Sequence, residues 1–299
     1  MRLNFADQII QIQGCDISKT SPFNRFIEPT DAGNAASLFI KPVRTVDWET
    51  VLHDCDFDQQ RAVSKLLGYD FSLEKVWWLN QSFRVFLMDQ ANQRLHYLRI
   101  IPDSVKDILT ELKDEIRAPL FILMGSCLAS CGGVVLHGSS FILDGHACMI
   151  TGVSGAGKST ATNLLGADFL LSDDTATITG ISNRQPMLHG TPLGGRSDGP
   201  AATNLAAIFF ATKAEKFSLR KMSFREALPR ILTEHRNYLN LLFEPIRCQY
   251  FSLLSELLRC TECYELAFTL NDLPARDVSL LLNTIAHKNI HERINDVSR

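Results

Sequence analysis

The segment GVSGAGKST, Gly152 to Thr160, sets glycines, a lysine and a hydroxyl residue at the spacing G-x-x-x-x-G-K-[ST]. Gly152, Gly155 and Gly157, interleaved with Val153, Ser154 and Ala156, allow a tight backbone turn that aims successive N–H groups at phosphate oxygens. Lys158 supplies a mobile cation for the β and γ phosphates. The Ser159 hydroxyl suits a Mg²⁺ ion, and Thr160 closes the motif. A helix starting at Lys158 adds the positive end of its dipole. Residues of these types in this order suit the binding of ATP with Mg²⁺, and the chemistry they serve is phosphoryl transfer.

Asp173-Asp174 follows at the end of the next apolar segment, Phe169 to Ser172. A carboxylate at a strand end beside such a loop suits Mg²⁺, held directly or through water. Two adjacent acids can divide the work, one binding metal while the other accepts a proton from an attacking hydroxyl. His137 lies upstream, on the strand that leads towards the loop. A histidine there serves either as a hydrogen-bonded structural residue or as a partner of the phosphates. Arg196 sits in GTPLGGRSDG, Gly190 to Gly199. That loop can close over phosphates and offset transition-state charge, or be a plain surface loop.

The elements that must position these residues read as α/β. Val134 to Leu143 and Ala147 to Thr151 are strands flanking the hairpin turn Asp144-Gly145. The second strand runs into the glycine loop, a helix follows from Lys158 to Leu165 and closes at Gly166, and Phe169 to Ser172 is the next strand. Leu205 to Thr212 and Tyr264 to Leu270 read as strands, and Phe251 to Leu258 and Ser279 to Ile285 as helices. Ser223 to Glu226 has the spacing of a capping box. Upstream, Ser104 and Asp107 suggest a helix start, with Val105 to Ile116 at helical spacing. A second, strongly apolar helix starts near Pro119 and stops at Gly132-Gly133.

The first hundred residues read as a strand-rich region with segments at Val76 to Leu79, Arg84 to Asp89 and Leu95 to Ile101. Its aromatic members Trp77, Trp78, Phe86 and Tyr97 suit sheet packing. The expected organisation is a small N-terminal domain over 1–102, a candidate for substrate recognition, and a catalytic domain over 103–299.

A chain of 299 residues with 45% hydrophobic and 21% charged residues is composed like a globular protein. A net charge of −3 makes no electrostatic case for nucleic acid or a membrane surface. No apolar run reaches the roughly 18–20 residues that span a bilayer, and the N-terminus lacks a signal-peptide pattern. The default expectation is a cytoplasmic protein. Of eight cysteines, Cys260 and Cys263 form a single Cys-x-x-Cys. A structural zinc site wants a second pair, so the cysteines read as thiols in a reducing compartment.

The stretch LHGSSFILDGHACMITGVSGAGKSTATNLLGADFLLSDD, Leu136 to Asp174, resembles the C-terminal catalytic domain of the HPr kinase/phosphorylase family. It is most similar to divergent members found beside peptide-modifying genes. The resemblance implies a P-loop fold of the kind shared with phosphoenolpyruvate carboxykinases, and self-association into a homo-oligomer. It also implies roles: Lys158 and Ser159 for ATP and Mg²⁺, Asp173 as base, Asp174 as metal ligand and His137 as a phosphate-site partner. The family's Glu-x-Arg-Gly-x-Gly signature has no counterpart between Asp174 and Arg196, where there is no glutamate at all. That departure points to a relative with a different substrate. The expected activity is therefore an ATP-dependent kinase acting on a hydroxyl, serine or threonine, of a peptide, protein or small molecule. The alternatives are a non-catalytic nucleotide sensor and an NTPase or carboxykinase-type enzyme.

Overall fold

The computed structural model describes residues 2–5, 8–13, 36–56, 61–62, 65–66, 76–81, 84–89, 94–101, 103–104, 117–191, 193, 196–199, 201–269 and 273–285. Its contacts divide the chain into two units, Met1–Cys127 with Leu241–Phe243, and Leu128–Asn240 with Glu244–Arg299.

The first unit carries a six-stranded sheet. Its strands are β1 (Arg2–Phe5), β2 (Gln8–Gln13), β3 (Ala36–Arg44), β4 (Val76–Gln81), β5 (Arg84–Asp89) and β6 (Arg94–Ile101), in the order β1-β2-β3-β6-β5-β4. The three segments expected from the sequence are the antiparallel β4, β5 and β6. Tyr97 is buried in β6, as sheet packing requires. The side chains of Trp77, Trp78 and Phe86 lie outside the described set, as does the helix expected beyond Ser104. A helix α1 (Thr45–Asp54) follows β3. The apolar helix α2 (Arg117–Ser130) has Pro119 in its first turn, and Leu120 to Met124 are buried.

The second unit is mixed α/β around a nine-stranded sheet. Its strands begin with β7 (Val134–His137), β8 (Ser139–Leu143), β9 (His146–Thr151), β10 (Phe169–Ser172) and β11 (Thr175–Thr179). They continue with β12 (Met187–His189), β13 (Ala202–Lys213), β14 (Ser218–Lys221) and β15 (Glu262–Phe268). β8 and β9 form the expected hairpin, with Asp144 at φ 49° and Gly145 at φ 76°, the left-handed pair that a tight hairpin turn uses. β9, β13 and β15 run parallel, side by side, so their C-terminal ends share one edge. In such sheets ligands bind beyond the carboxyl ends of parallel strands.

The helices are α3 (Lys158–Leu165), α4 (Phe224–Glu234), α5 (Arg236–Leu239), α6 (Glu244–Cys260) and α7 (275–285). Ala161 and Leu165 of α3 and Val278, Leu282 and Ile285 of α7 share one core with Phe141, Ile150, Phe209 and Leu266 of the sheet. The capping box is formed at Ser223, whose side chain and backbone exchange hydrogen bonds with Glu226.

One expectation is corrected. Val134 to Leu143 is not a single strand but two, broken at Gly138: β7 pairs with β11, whereas β8 pairs with β9 and β10. A Cβ at Gly138 would lie 2.8 Å from the Ile150 carbonyl oxygen and 2.7 Å from the Met149 terminal methyl. Only glycine admits that approach, and the chain turns there. The paired segment breaks at the same level, between β10 and β11, and the Gly138 N–H donates to the Asp174 carbonyl at 2.9 Å. His137 and Asp173-Asp174 thus sit where two paired strands both leave one sheet segment for another.

Candidate functional site

β9 ends at Thr151, and the chain turns through Gly155 at φ 77° and Gly157 at φ 90° into α3. Both angles lie in the left-handed region that side chains disfavour. Gly157 stands at the N-cap of α3, with no side-chain cap hydrogen bond. Val153, Ser154 and Gly155 are exposed, while Lys158 is only 8% exposed. The Lys158 ammonium donates to the Gly152 carbonyl at 3.0 Å and the Val153 carbonyl at 3.4 Å. Burial pulls its pKa down, and the carboxylates of Asp174 and Glu234 oppose that pull from two sides.

The acid pair meets this loop. The Ser159 hydroxyl donates to the Asp173 carbonyl at 3.5 Å. The Asp173 carboxylate accepts from the Arg196 backbone N–H at 2.7 Å and from Arg196 Nε at 3.1 Å. Asp173 N–H in turn donates to the Arg196 carbonyl at 3.1 Å. Asp174 Oδ1 lies 3.3 Å from His137 Nδ1. Burial and Lys158 lower the His137 pKa, and Asp174 raises it. The structure therefore brings Lys158, Ser159, Asp173, Asp174, His137 and Arg196 to one place. In the Gly190 to Gly199 loop, residues 192, 194 and 195 are outside the described set, and no contact to the group is seen for Thr160.

Three residues that the sequence did not single out for this site complete the surroundings. They come from the corner between α4 and α5. Tyr238 stacks on His137 with ring centroids 5.0 Å apart at 13°, and its hydroxyl is 3.1 Å from His137 Nδ1. His235, 1% exposed, sets Nε2 2.9 Å from the His137 carbonyl and Nδ1 2.8 Å from the Ile231 carbonyl. Burial pushes its pKa down to about 4. Glu234, with a side chain 4% exposed, pairs with Arg230 Nε at 3.0 Å and accepts from the Thr151 hydroxyl at 3.0 Å.

Arg230 also reaches Glu265 at 2.9 Å, the Ala211 carbonyl at 2.9 Å and the Thr212 hydroxyl at 2.7 Å. It pins α4 to β13 and β15. Beside it opens a cavity of about 650 Å³, lined by Val153 to Ala156 of the loop, by Ala211 to Lys213, and by α4.

Among the described residues no three His, Cys, Asp or Glu side chains gather as a metal cage. Cys260 donates to the Leu257 carbonyl and Cys263 to the Thr261 carbonyl, and burial pushes the Cys263 thiol up to about 12. Among the described residues no helix is long and apolar enough to cross a membrane.

No protein-family model and no curated protein matches the chain. Among solved structures, the Hpr(Ser) kinase/phosphatase from Coxiella burnetii aligns over 55% of this chain and 94% of its own, at 14% identity and a TM-score of 0.28.

Proposed function

We propose that the chain is an ATP- and Mg²⁺-dependent kinase that transfers the γ-phosphoryl group to a hydroxyl, serine or threonine, of a peptide, protein or small molecule. The observation that supports it most is the meeting of two sequence-distant pieces. Lys158 and Ser159 of the glycine loop lie against the Asp173-Asp174 turn, with Ser159 Oγ 3.5 Å from the Asp173 carbonyl. This reading assigns the loop to the P-loop class and the second unit to the HPr kinase and phosphoenolpyruvate carboxykinase type. It gives the region 1–102 to acceptor recognition and 103–299 to catalysis.

The donor chemistry suits Mg²⁺. Ser159 and Asp174 offer hard oxygens, and a Mg²⁺ ion bound with a nucleotide needs only one or two protein ligands, the rest being phosphate and water. When bound, the ion neutralises charge on the phosphates. The chain's own residues do the rest. The N–H groups of the loop and of the α3 start hold the phosphates, and Lys158 leaves the Gly152 and Val153 carbonyls to meet them. Asp173 takes the proton of the acceptor hydroxyl as it attacks, and Arg196, already on Asp173, offsets charge that develops on the transferred group. His137, oriented by Tyr238 and His235, steadies Asp174.

The Arg196 clamp on Asp173 favours a second reading, in which the base is masked and the protein senses nucleotide without transfer. The test is transfer of label from γ-labelled ATP to serine-containing peptides, free amino acids or cell extract. Label that moves with the wild type but not with Lys158→Ala supports the kinase. Tight binding with no transfer to any acceptor supports the sensor.

A further inference from the structure

We propose that Asp198 is a positioning residue for the Asp173–Arg196 pair, fastening the segment 196–198 along the edge of β10 and so setting where Arg196 meets the acid. The inference rests on that pair belonging to a phosphoryl-transfer site.

β10 stands at one end of the sheet path, paired with β8. An end strand has backbone groups on its outer edge that need partners. The segment 196–198 supplies them, running antiparallel to β10. The Asp173 N–H donates to the Arg196 carbonyl at 3.1 Å, and the Asp198 N–H donates to the Leu170 carbonyl at 2.7 Å. The Asp198 side chain adds a second bond to the same residue, with Oδ2 accepting from the Leu170 N–H at 2.6 Å. Asp198 thus holds both the N–H and the carbonyl of Leu170. A carboxylate accepting from a backbone N–H is among the stronger hydrogen bonds.

The backbone around this anchor is closely held. Ser197 is buried, and its hydroxyl accepts from the Gly199 N–H at 3.2 Å. Gly199 has φ 134°, in the region that favours glycine. A Cβ at Gly190 would strike the Gly199 carbonyl oxygen, so the chain passes itself there at a distance that no side chain admits. The Gly190 N–H donates to the Ala201 carbonyl at 2.8 Å and closes the loop at its base. Arg196 lies two residues before the Asp198 anchor, and its backbone N–H and Nε both donate to the Asp173 carboxylate. The direction of the acid therefore follows the register of this strap on β10, and Asp198 sets that register. It acts through Arg196, with its own Oδ2 turned to Leu170.

The test compares wild type, Asp198→Asn and Asp198→Ala by amide hydrogen exchange, MgATP affinity and transfer of the γ-phosphoryl group. The asparagine carbonyl oxygen can accept from Leu170 as the carboxylate does, whereas alanine cannot. In Asp198→Ala the amides of Leu170, Asp173 and Arg196 are expected to exchange about tenfold faster or more, with β8 and β9 unchanged. Its kcat is expected to fall about tenfold, while MgATP affinity stays within about threefold. Asp198→Asn is expected to restore most of both losses. Wild-type exchange at Asp173 and Arg196 in Asp198→Ala overturns the inference. So does faster exchange spread evenly through β8 and β9, an asparagine variant no better than alanine, or a wild-type kcat despite faster exchange. A wild type that transfers no label to any acceptor overturns the transfer-site reading instead, and the exchange comparison still decides whether Asp198 holds the strap.

Discussion

Asp173 and Arg196 hold each other at three points: backbone N–H to Oδ1 at 2.7 Å, Nε to Oδ2 at 3.1 Å, and Asp173 N–H to the Arg196 carbonyl at 3.1 Å. The carboxylate is thereby fixed in orientation, 16% exposed, while the guanidinium remains 60% exposed. An ion pair that exposed contributes little to stability. Its interest is geometric: in the proposed mechanism the base and the cation for the transition state would be one unit. Arg196→Ala is expected to lower kcat about a hundredfold, the scale for removing one charge-stabilising donor, with a much smaller change in nucleotide affinity. Steady-state kinetics beside a binding isotherm separates the two. A loss confined to affinity would assign Arg196 to ground-state binding.

Tyr238→Phe keeps the ring that stacks on His137 and removes the hydroxyl 3.1 Å from Nδ1. Loss of one such bond is worth about 1 kcal/mol, so single-turnover transfer should slow about fivefold with the fold unchanged. An unchanged rate would make the tyrosine a packing residue only.

His235 makes stability depend on pH. Its folded pKa of about 4 lies below the ordinary 6.5, so between these values the unfolded chain binds the proton and the folded one does not. Stability should fall as pH drops from about 6.5 towards 4, by on the order of 3 kcal/mol, and this contribution should be constant below. Urea melts across that range should show a shallower slope for His235→Gln than for wild type. Parallel slopes would place the titration elsewhere.

Gly138→Ala should destabilise the second unit by about 1–3 kcal/mol, because the Ile150 carbonyl at 2.8 Å is backbone and cannot step aside as the Met149 methyl can. Thermal melting reads this directly.

The run from β9 through α3 to β10 was legible because each boundary has a local cause. Asp144-Gly145 turns the hairpin, glycines open the loop, and Gly166 closes the helix at φ 68°. Ser223 and Glu226 announced α4 in the same way. The split of β7 from β8 was not legible, since its cause is the Ile150 backbone across the sheet rather than a turn sequence. The strand Thr175–Thr179 was not read from the sequence, although four of its five residues are β-branched. Glu234, His235 and Tyr238 had no such signal. They reach the site from about a hundred residues away, and only the parallel pairing of β13 with β9 brings α4 there.

The central claim is that the glycine loop and the Asp173-Asp174 turn form one transfer site with divided roles. The most direct measurement compares Asp173→Asn with wild type for both MgATP affinity and transfer of the γ-phosphoryl group. The account expects affinity within a few-fold and transfer abolished, since the amide keeps the shape but cannot take the proton. Transfer by Asp173→Asn at the wild-type rate would contradict it.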